Sequence, residues 1–248
     1  MNLTQFWKDN PKAAIAFSGG VDSAYLLYTA VKAGAAVKAY YAKTAFQPQF
    51  ELEDAQRLAQ DLGAELEILP MEILDVPLVV ENPANRCYYC KKALFSAMAA
   101  AAQRDGYTLL TDGTNASDQV SDRPGMAALR ELSVRSPLRE CGLTKQEIRR
   151  LSKEAGLFTH DKPAYACLAT RIPTGEEITL EKLARTEAAE TFLHCLGLRD
   201  FRVRSLGDTA RIQVREEDLP KLLAHREEIV SYLKERYTGV MLDLEVRP

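Results

Sequence analysis

The feature that most constrains the fold is a glycine loop between an apolar run and a helical pattern near the start of the chain. The run "AAIAF" (13–17) predicts a short buried strand. The loop "SGGVDS" (18–23) follows, and "SAYLLYTAVKAG" (23–34) then has helical spacing of apolar residues and ends at Gly34. This order predicts the first unit of a sheet whose faces are covered by helices.

The same alternation continues along the chain. Strands are predicted at 36–43, 64–71 and 107–115, and helices at 48–63, 87–106 and 144–156, where Thr144 and Glu147 form a capping box. Alternating strands and helices predict the α/β class with a doubly wound, mostly parallel sheet. Ligands of such sheets bind at the carboxyl ends of strands. We therefore expect the glycine loop, "TDGTN" (111–115) and the end of "YYAK" (40–43) to form one crevice.

The pattern changes after about residue 175. A helix is predicted at 179–197, two strands around a Gly-Asp turn within 201–215, a helix at 219–239, and a last strand in "VMLDLEV". We predict two domains: a nucleotide-binding domain over 1–175, and a small α+β subdomain over 176–248 for substrate binding or oligomerisation.

Charge and cysteine content limit the functional classes. The 248-residue chain has a net charge of −3, which argues against nucleic acid as a partner. The start "MNLTQFWKDNPKAA" lacks the layout of a signal peptide, and the apolar runs are too short to span a membrane. Five cysteines, an odd number, argue against a disulfide framework. We expect a cytoplasmic protein without a membrane partner.

The glycine loop is suited to an anion. Gly19 and Gly20 let successive amides point inward, Ser18 and Ser23 add hydroxyl donors, and the following helix contributes its positive end. The loop has neither the Gly-Lys-Ser/Thr ending of a Walker motif nor the third glycine of a dinucleotide fingerprint. The alternative is that the glycines serve the turn alone and that Asp22 caps the helix.

Longer segments carry a family resemblance. "SGGVDS" after an apolar strand resembles the loop of the N-type ATP pyrophosphatases, the PP-loop superfamily. The segments "DGTNASD" (112–118), "RPGMAALRE" (123–131), "LTKQEIR" (143–149) and "DKPAYACLATRIPTGEEIT" (161–179) are similar to those of the LarE family. This resemblance implies a fold like that of NAD and GMP synthetases, the adenine nucleotide alpha hydrolase-like fold. It also implies ATP-dependent adenylation of the carboxylates of pyridinium-3,5-biscarboxylic acid mononucleotide and their conversion to thiocarboxylates, for the nickel-pincer nucleotide of lactate racemase.

The resemblance also implies site residues. ATP would be bound by Ser18, Gly19, Gly20, Asp22, Ser23, Ala42 and Gly113, with Asp22 positioning Mg²⁺. The catalytic residues would be Cys167, Arg171, Asp22 and Glu190, and the substrate phosphate would meet Arg202, Arg204 and Arg211. Arg202 and Arg204 alternate with apolar residues, so both point to one face of a strand. A solvated strand face, and for Glu190 a helix-surface charge, are the alternatives.

Three cysteines bear on the sulfur chemistry. Cys87 and Cys90 are three residues apart at a predicted helix start, and Cys167 lies at the family's sulfur position. Three thiolates suit a [4Fe-4S] cluster with one open iron that would hold a transferable sulfide. In the other type of family member, the cysteine matching Cys167 gives up its own sulfur and becomes dehydroalanine. Zinc, a redox pair and inert thiols are the alternatives, and Cys195 is expected in the core.

Rival functions remain open from the sequence. A tRNA thiolase of the same superfamily would need a sizeable basic surface, and an ammonia-dependent enzyme like NAD synthetase would not need Cys167. A non-enzymatic nucleotide sensor would bind ATP without releasing pyrophosphate. The LarE resemblance further implies a sulfide donor and a homo-oligomer.

Overall fold

The computed structural model describes residues 2–118 and 124–247, so Arg123, which begins one family-like segment, lies outside the described residues. The chain forms two compact units. The first comprises Met1–Ile73 and Asn85–Tyr165, and the second Leu74–Ala84 and Ala166–Pro248. This division lies elsewhere than the predicted one at 175/176.

Hydrogen bonds of Asn82 explain why the segment 74–84 groups with the later part of the chain. Its buried side-chain amide donates to the carbonyls of Pro173 (2.7 Å) and Glu176 (3.1 Å). Its own carbonyl accepts from the amide of Gly175 at 2.9 Å. No periodic pattern in the sequence signals such contacts, because they join residues about ninety positions apart.

Strands and helices follow one another as follows. The strands are β1 (Lys12–Ala16), β2 (Ala36–Lys43), β3 (Glu65–Pro70), β4 (Leu110–Thr111), β5 (Arg202–Leu206), β6 (Thr209–Gln213) and β7 (Gly239–Leu242). The helices are α1 (Leu3–Asp9), α2 (Val21–Lys32), α3 (Gln49–Asp61), α4 (Pro77–Val80), α5 (Arg86–Arg104), α6 (Pro124–Glu131), α7 (Pro137–Glu140), α8 (Lys145–Glu154), α9 (Leu180–Cys195), α10 (Leu219–Ala224) and α11 (Arg226–Lys234).

The sheet of the first unit is parallel, in the order β3-β2-β1-β4. Ala13 and Ile15 of β1 join the core that includes α2, whereas Ala14 and Ala16 join the core that includes α5. Both faces are covered by helices, which is why the run "AAIAF" is apolar at every position. The predicted doubly wound α/β fold is confirmed.

The point where ligands are expected lies at β1. The chain leaves β1 through α2 to β2 on one side, whereas β4 lies on the other side of β1. A reversal of this kind opens a crevice at the carboxyl ends of the strands. β4 is shorter than the predicted strand 107–115, because the chain turns away after Thr111 and pairs only through an isolated bridge to Arg135.

The second unit contains the predicted small α+β fold. β5 and β6 are antiparallel around the turn at Gly207, and β6 pairs with β7 in parallel. The predicted helix 219–239 is two helices, α10 and α11, with His225 between them. Cys195 was expected in the core and is instead exposed, since it ends α9 where the chain reaches solvent.

Membrane-spanning helices were searched for over the described ranges. No helix found there combines the length and the apolar character that crossing a membrane requires.

Candidate functional site

The loop after β1 has the backbone geometry that its glycines allow. Gly19 has a φ of +70°, and a Cβ at this position would lie 3.1 Å from the Ala55 backbone nitrogen. A side chain there would therefore be strained and would also press on α3. Gly20 is the N-cap residue of α2 and supplies no capping side chain. The first-turn amides and the positive end of α2 therefore face the loop as an anion site.

Two hydroxyls fix the loop against the helix. The hydroxyls of Ser18 and Ser23 lie 3.1 Å apart, and the Ser23 hydroxyl donates to the carbonyl of Gly20 at 3.2 Å. The Ser18 amide donates to the Ser23 hydroxyl at 3.3 Å. Ser23 is buried and Ser18 is exposed, so Ser23 serves to hold the loop and Ser18 faces outward.

The "TDGTN" segment approaches this loop closely. A Cβ on Gly113 would lie 2.9 Å from the amide nitrogen of Ser23, closer than side chains allow. The adjacent Asp112 is buried and accepts from the hydroxyls of Ser136 (2.6 Å) and Thr114. Asp112 thus fixes the turn that brings Gly113 against the start of α2.

We expect Gly113→Ala to lower the free energy of unfolding by about 1–3 kcal/mol, because the added methyl must displace the start of α2. ATP binding should weaken as well. Urea unfolding and calorimetric ATP titration measure the two effects. Gly20→Ala is the matched control for stability, since its Cβ would meet only the Ser18 hydroxyl, at 3.4 Å. Equal unfolding free energies for the two variants would contradict the assigned contact.

A cavity of about 330 Å³ opens beside the loop. Of the predicted ATP residues, Ser18, Gly20, Asp22 and Ala42 line it, while Gly19, Ser23 and Gly113 are absent from its wall. Its apolar side includes Phe17, Leu94, Phe95 and Met98, and its polar side includes Tyr41, Gln47, Glu51, Lys145, Arg149 and Lys162. A cavity that is apolar on one side and basic on the other suits a base joined to phosphates.

Asp22 and Lys145 form an ion pair in this cavity, with Lys145 Nζ 2.5 Å from Asp22 Oδ2. The other carboxylate oxygen, Oδ1, is buried and has no hydrogen-bond partner within 2–118 and 124–247. Burial raises the pKa of the Asp22 carboxyl, and the Lys145 ammonium opposes this shift. An incompletely satisfied carboxylate of this kind fits a divalent cation, whose preferred ligands are oxygens.

Arg149 and Lys162 hold one wall of the cavity. The Arg149 guanidinium donates to the carbonyls of His160 (2.6 Å) and Lys162 (2.7 Å). Lys162 Nζ lies 2.5 Å from Asp54 Oδ2, which ties the segment to α3. These contacts fix the wall formed by 162–165.

The sequence analysis did not assign a role to Lys145, Arg149 or Tyr41. A signal for the first two was present, since they are four residues apart and therefore share one face of α8, whose capping box is confirmed. Tyr41 gave no signal, because its burial follows from the alternation of β2. Its hydroxyl is buried at the cavity without a partner among the described residues, and burial raises its pKa.

Cys167 lies in the second unit, at the start of the turn Leu168–Arg171, and is half-buried. Its carbonyl accepts from the Thr170 amide (3.0 Å) and hydroxyl (2.8 Å). Arg171 donates to that hydroxyl at 2.7 Å. The arginine therefore supports the turn that carries Cys167.

Arg171 and Glu190 form a buried ion pair. Arg171 Nε lies 2.6 Å from Glu190 Oε1, and Nη2 lies 3.2 Å from Oε2. Their side chains are 1% and 7% exposed, so Glu190 is no helix-surface charge. Glu190 Oε1 also accepts from the Val203 amide at 2.9 Å. The pair joins the turn of Cys167 to α9 and β5.

The predicted phosphate-binding arginines converge on one face of the small sheet. Arg204 lies directly opposite Arg211 across the β5–β6 pair, and Arg204 Nη1 donates to the Thr170 carbonyl at 3.1 Å. Burial, and then the Arg171 charge, lower the pKa of Arg202 to about 10 and also lower the pKa of Arg204. Nε of Arg211 is in an ion pair with Asp243 Oδ2 at 3.4 Å but makes no hydrogen bond to a described residue. Like charges placed opposite each other favour an anion between them.

Cys87 and Cys90 lie in the first turn of α5, within the first unit, whereas Cys167 belongs to the second unit. Cys87 is exposed and Cys90 is half-buried. Within the part of the chain that is described, no three histidine, cysteine or acidic side chains are grouped as a metal site. As donors, three thiolates are the ligands that iron–sulfur clusters take.

Comparisons with known proteins give both a family model and full-length relatives. The model described as "Queuosine biosynthesis protein QueC" matches residues 12–79. The chain is 39% identical to an uncharacterized Synechocystis protein over 98% of this chain and 92% of that protein. It is 32% identical to the pyridinium-3,5-bisthiocarboxylic acid mononucleotide synthase of Lactiplantibacillus plantarum, over 96% of this chain and 87% of that enzyme. It is 27% identical to the tRNA-specific 2-thiouridylase MnmA of Thermotoga petrophila, over 61% and 54% of the two chains.

Proposed function

Since the chain belongs to the LarE family of the PP-loop superfamily, we propose that it is an ATP-dependent sulfur transferase acting on pyridinium-3,5-biscarboxylic acid mononucleotide. The product would be the bisthiocarboxylic acid that the L. plantarum relative is named for. The single observation that carries the ATP-dependent step is the cavity at β1, where a glycine loop and a helix N-terminus meet Asp22 and three basic side chains.

The first step follows from the residues around this cavity. Amides of the loop 18–23 and the end of α2 would hold the pyrophosphate portion of ATP. Asp22 would hold Mg²⁺, which neutralises phosphate charge when bound. The substrate carboxylate, already ionised, attacks the α-phosphate, and pyrophosphate leaves. This step needs positioning and charge neutralisation more than a general base.

The second unit supports a role in holding the substrate. Arg202, Arg204 and Arg211 would bind the phosphate of the mononucleotide, because their guanidinium groups converge without enough anionic partners. Arg171 and Glu190 would position the Cys167 turn. We assign Cys167 as the sulfur site, since a thiolate is a good nucleophile at neutral pH.

We further propose that Cys87, Cys90 and Cys167 hold a [4Fe-4S] cluster. The chemistry of the three thiolates fits this group. When bound, the cluster would supply sulfide to the activated carboxylate. A sulfide donor, a homo-oligomeric state and a cytoplasmic location stay predictions from the sequence.

Anaerobic turnover with the pyridinium mononucleotide, ATP, Mg²⁺ and sulfide tests the proposed function. The wild-type protein should release AMP and pyrophosphate and form the thiocarboxylate after reconstitution with iron and sulfide. Cys87→Ala should bind less iron and lose product by about tenfold or more. ATP cleavage that depends on transfer RNA, with no reaction of the mononucleotide, would instead support the thiolase alternative.

A further inference from the structure

We propose that Lys145 exchanges partners during nucleotide binding: it occupies the cation site on Asp22 in the empty cavity and transfers to a nucleotide phosphate when the metal binds. This inference deepens the proposed function and rests on its assignment of Asp22 to the divalent cation. It concerns a positioning residue for which the sequence gave no role.

The first argument is the asymmetry of the Asp22 carboxylate. Oδ2 is held by the Lys145 ammonium at 2.5 Å, whereas Oδ1 is buried without a partner among residues 2–118 and 124–247. Half of the carboxylate is thus neutralised by a protein cation and half is ready for another ligand. A divalent cation on Asp22 would be repelled by an ammonium already in contact with the same group.

The second argument is the freedom of the lysine side chain. The Lys145 backbone is fixed, because Thr144 caps α8 and the Lys145 amide donates to the Ser117 hydroxyl at 2.9 Å. Its side chain is 34% exposed and lines the cavity, so Nζ can move without unfolding the helix. Arg149, one turn later, also lines the cavity and keeps it basic when Lys145 leaves Asp22.

The two arguments imply coupled binding. In the empty cavity Lys145 competes with the cation for Asp22, so the cation alone binds weakly. Phosphate oxygens attract the ammonium and free Asp22 for the cation. By linkage, bound cation equally favours the movement of Lys145 to the phosphate.

Lys145→Met tests this exchange, because its two effects have opposite signs. Mn²⁺ binding to the nucleotide-free protein, followed by electron paramagnetic resonance, should tighten by about fivefold, since a competitor is removed. Binding of the α,β-methylene analogue of ATP with Mg²⁺, followed by calorimetry, should weaken by about tenfold. A lysine that only stabilises the fold would weaken both.

Two further variants separate the outcomes. Lys162→Met removes the same charge from the same cavity, but its partner is Asp54, so the Mn²⁺ affinity should stay within about twofold of wild type. Asp22→Asn should weaken Mn²⁺ binding. If Asp22→Asn weakens it while Lys145→Met leaves it unchanged or weaker, the exchange is refuted and the cation assignment stands. If Asp22→Asn has no effect, both the exchange and the proposed cation site are refuted.

Discussion

Replacing Cys167 with alanine is expected to reduce thiocarboxylate formation by about a thousandfold while leaving ATP–pyrophosphate exchange close to that of the wild type. Loss of a nucleophile or its equivalent removes a step that nothing else in the site performs. Exchange reports adenylation alone, and the residues proposed for it line a cavity in the first unit, to which Cys167 does not belong. Isotope exchange and product chromatography measure the two steps separately.

Cys195→Ala is the matched control, since Cys195 is an exposed cysteine of the same unit without an assigned role. It should change neither rate. Equal loss of exchange and product in Cys167→Ala would mean that Cys167 acts in adenylation or folding, contrary to its assignment as the sulfur site.

The same experiment distinguishes two sources of sulfur. If sulfide is supplied through the cluster, the Cys167 peptide of the wild-type protein keeps its mass after turnover. If Cys167 gives up its own sulfur, its Cβ–Sγ bond breaks and the peptide loses the elements of H₂S to become dehydroalanine. Mass spectrometry of this peptide after a single turnover decides between them, and dehydroalanine would overturn the cluster route.

Glu190→Gln is expected to lower the free energy of unfolding by about 3–5 kcal/mol, because it leaves the Arg171 charge uncompensated in the interior. Arg171 is buried, and the variant cannot return its guanidinium to water without opening the turn that carries Cys167. Urea unfolding measures the change. Product formation should fall too, because the Cys167 turn and β5 lose their shared anchor.

An exposed ion pair supplies the control. Arg150 and Glu154 are four residues apart on α8 and are 61% and 58% exposed, so Glu154→Gln should cost less than about 0.5 kcal/mol. Replacing both partners, as Arg171→Met with Glu190→Leu, should recover most of the lost stability. A similar loss in Glu190→Gln and Glu154→Gln would show that the buried pair has no special role.

Much of the first unit was predictable because its signals are local. The alternation of strands and helices, the capping box at Thr144 and the glycines of the loop depend on neighbours within a few residues. The split of the predicted helix 219–239 at His225 and the shortness of β4 were missed. Both depend on how the chain packs after the element, which a periodic pattern does not record.

By itself the sequence determined the parallel α/β fold and the glycine loop with its helix N-terminus, since both arise from backbone preferences and the spacing of apolar residues. Only the tertiary structure decided which charges meet. Asp22 pairs with a lysine 123 positions away, and Glu190 is buried against Arg171 although it lies on a helix whose pattern suggested solvent. Such pairs form because folding brings distant side chains into one low-dielectric place, where an unpaired charge would be too costly.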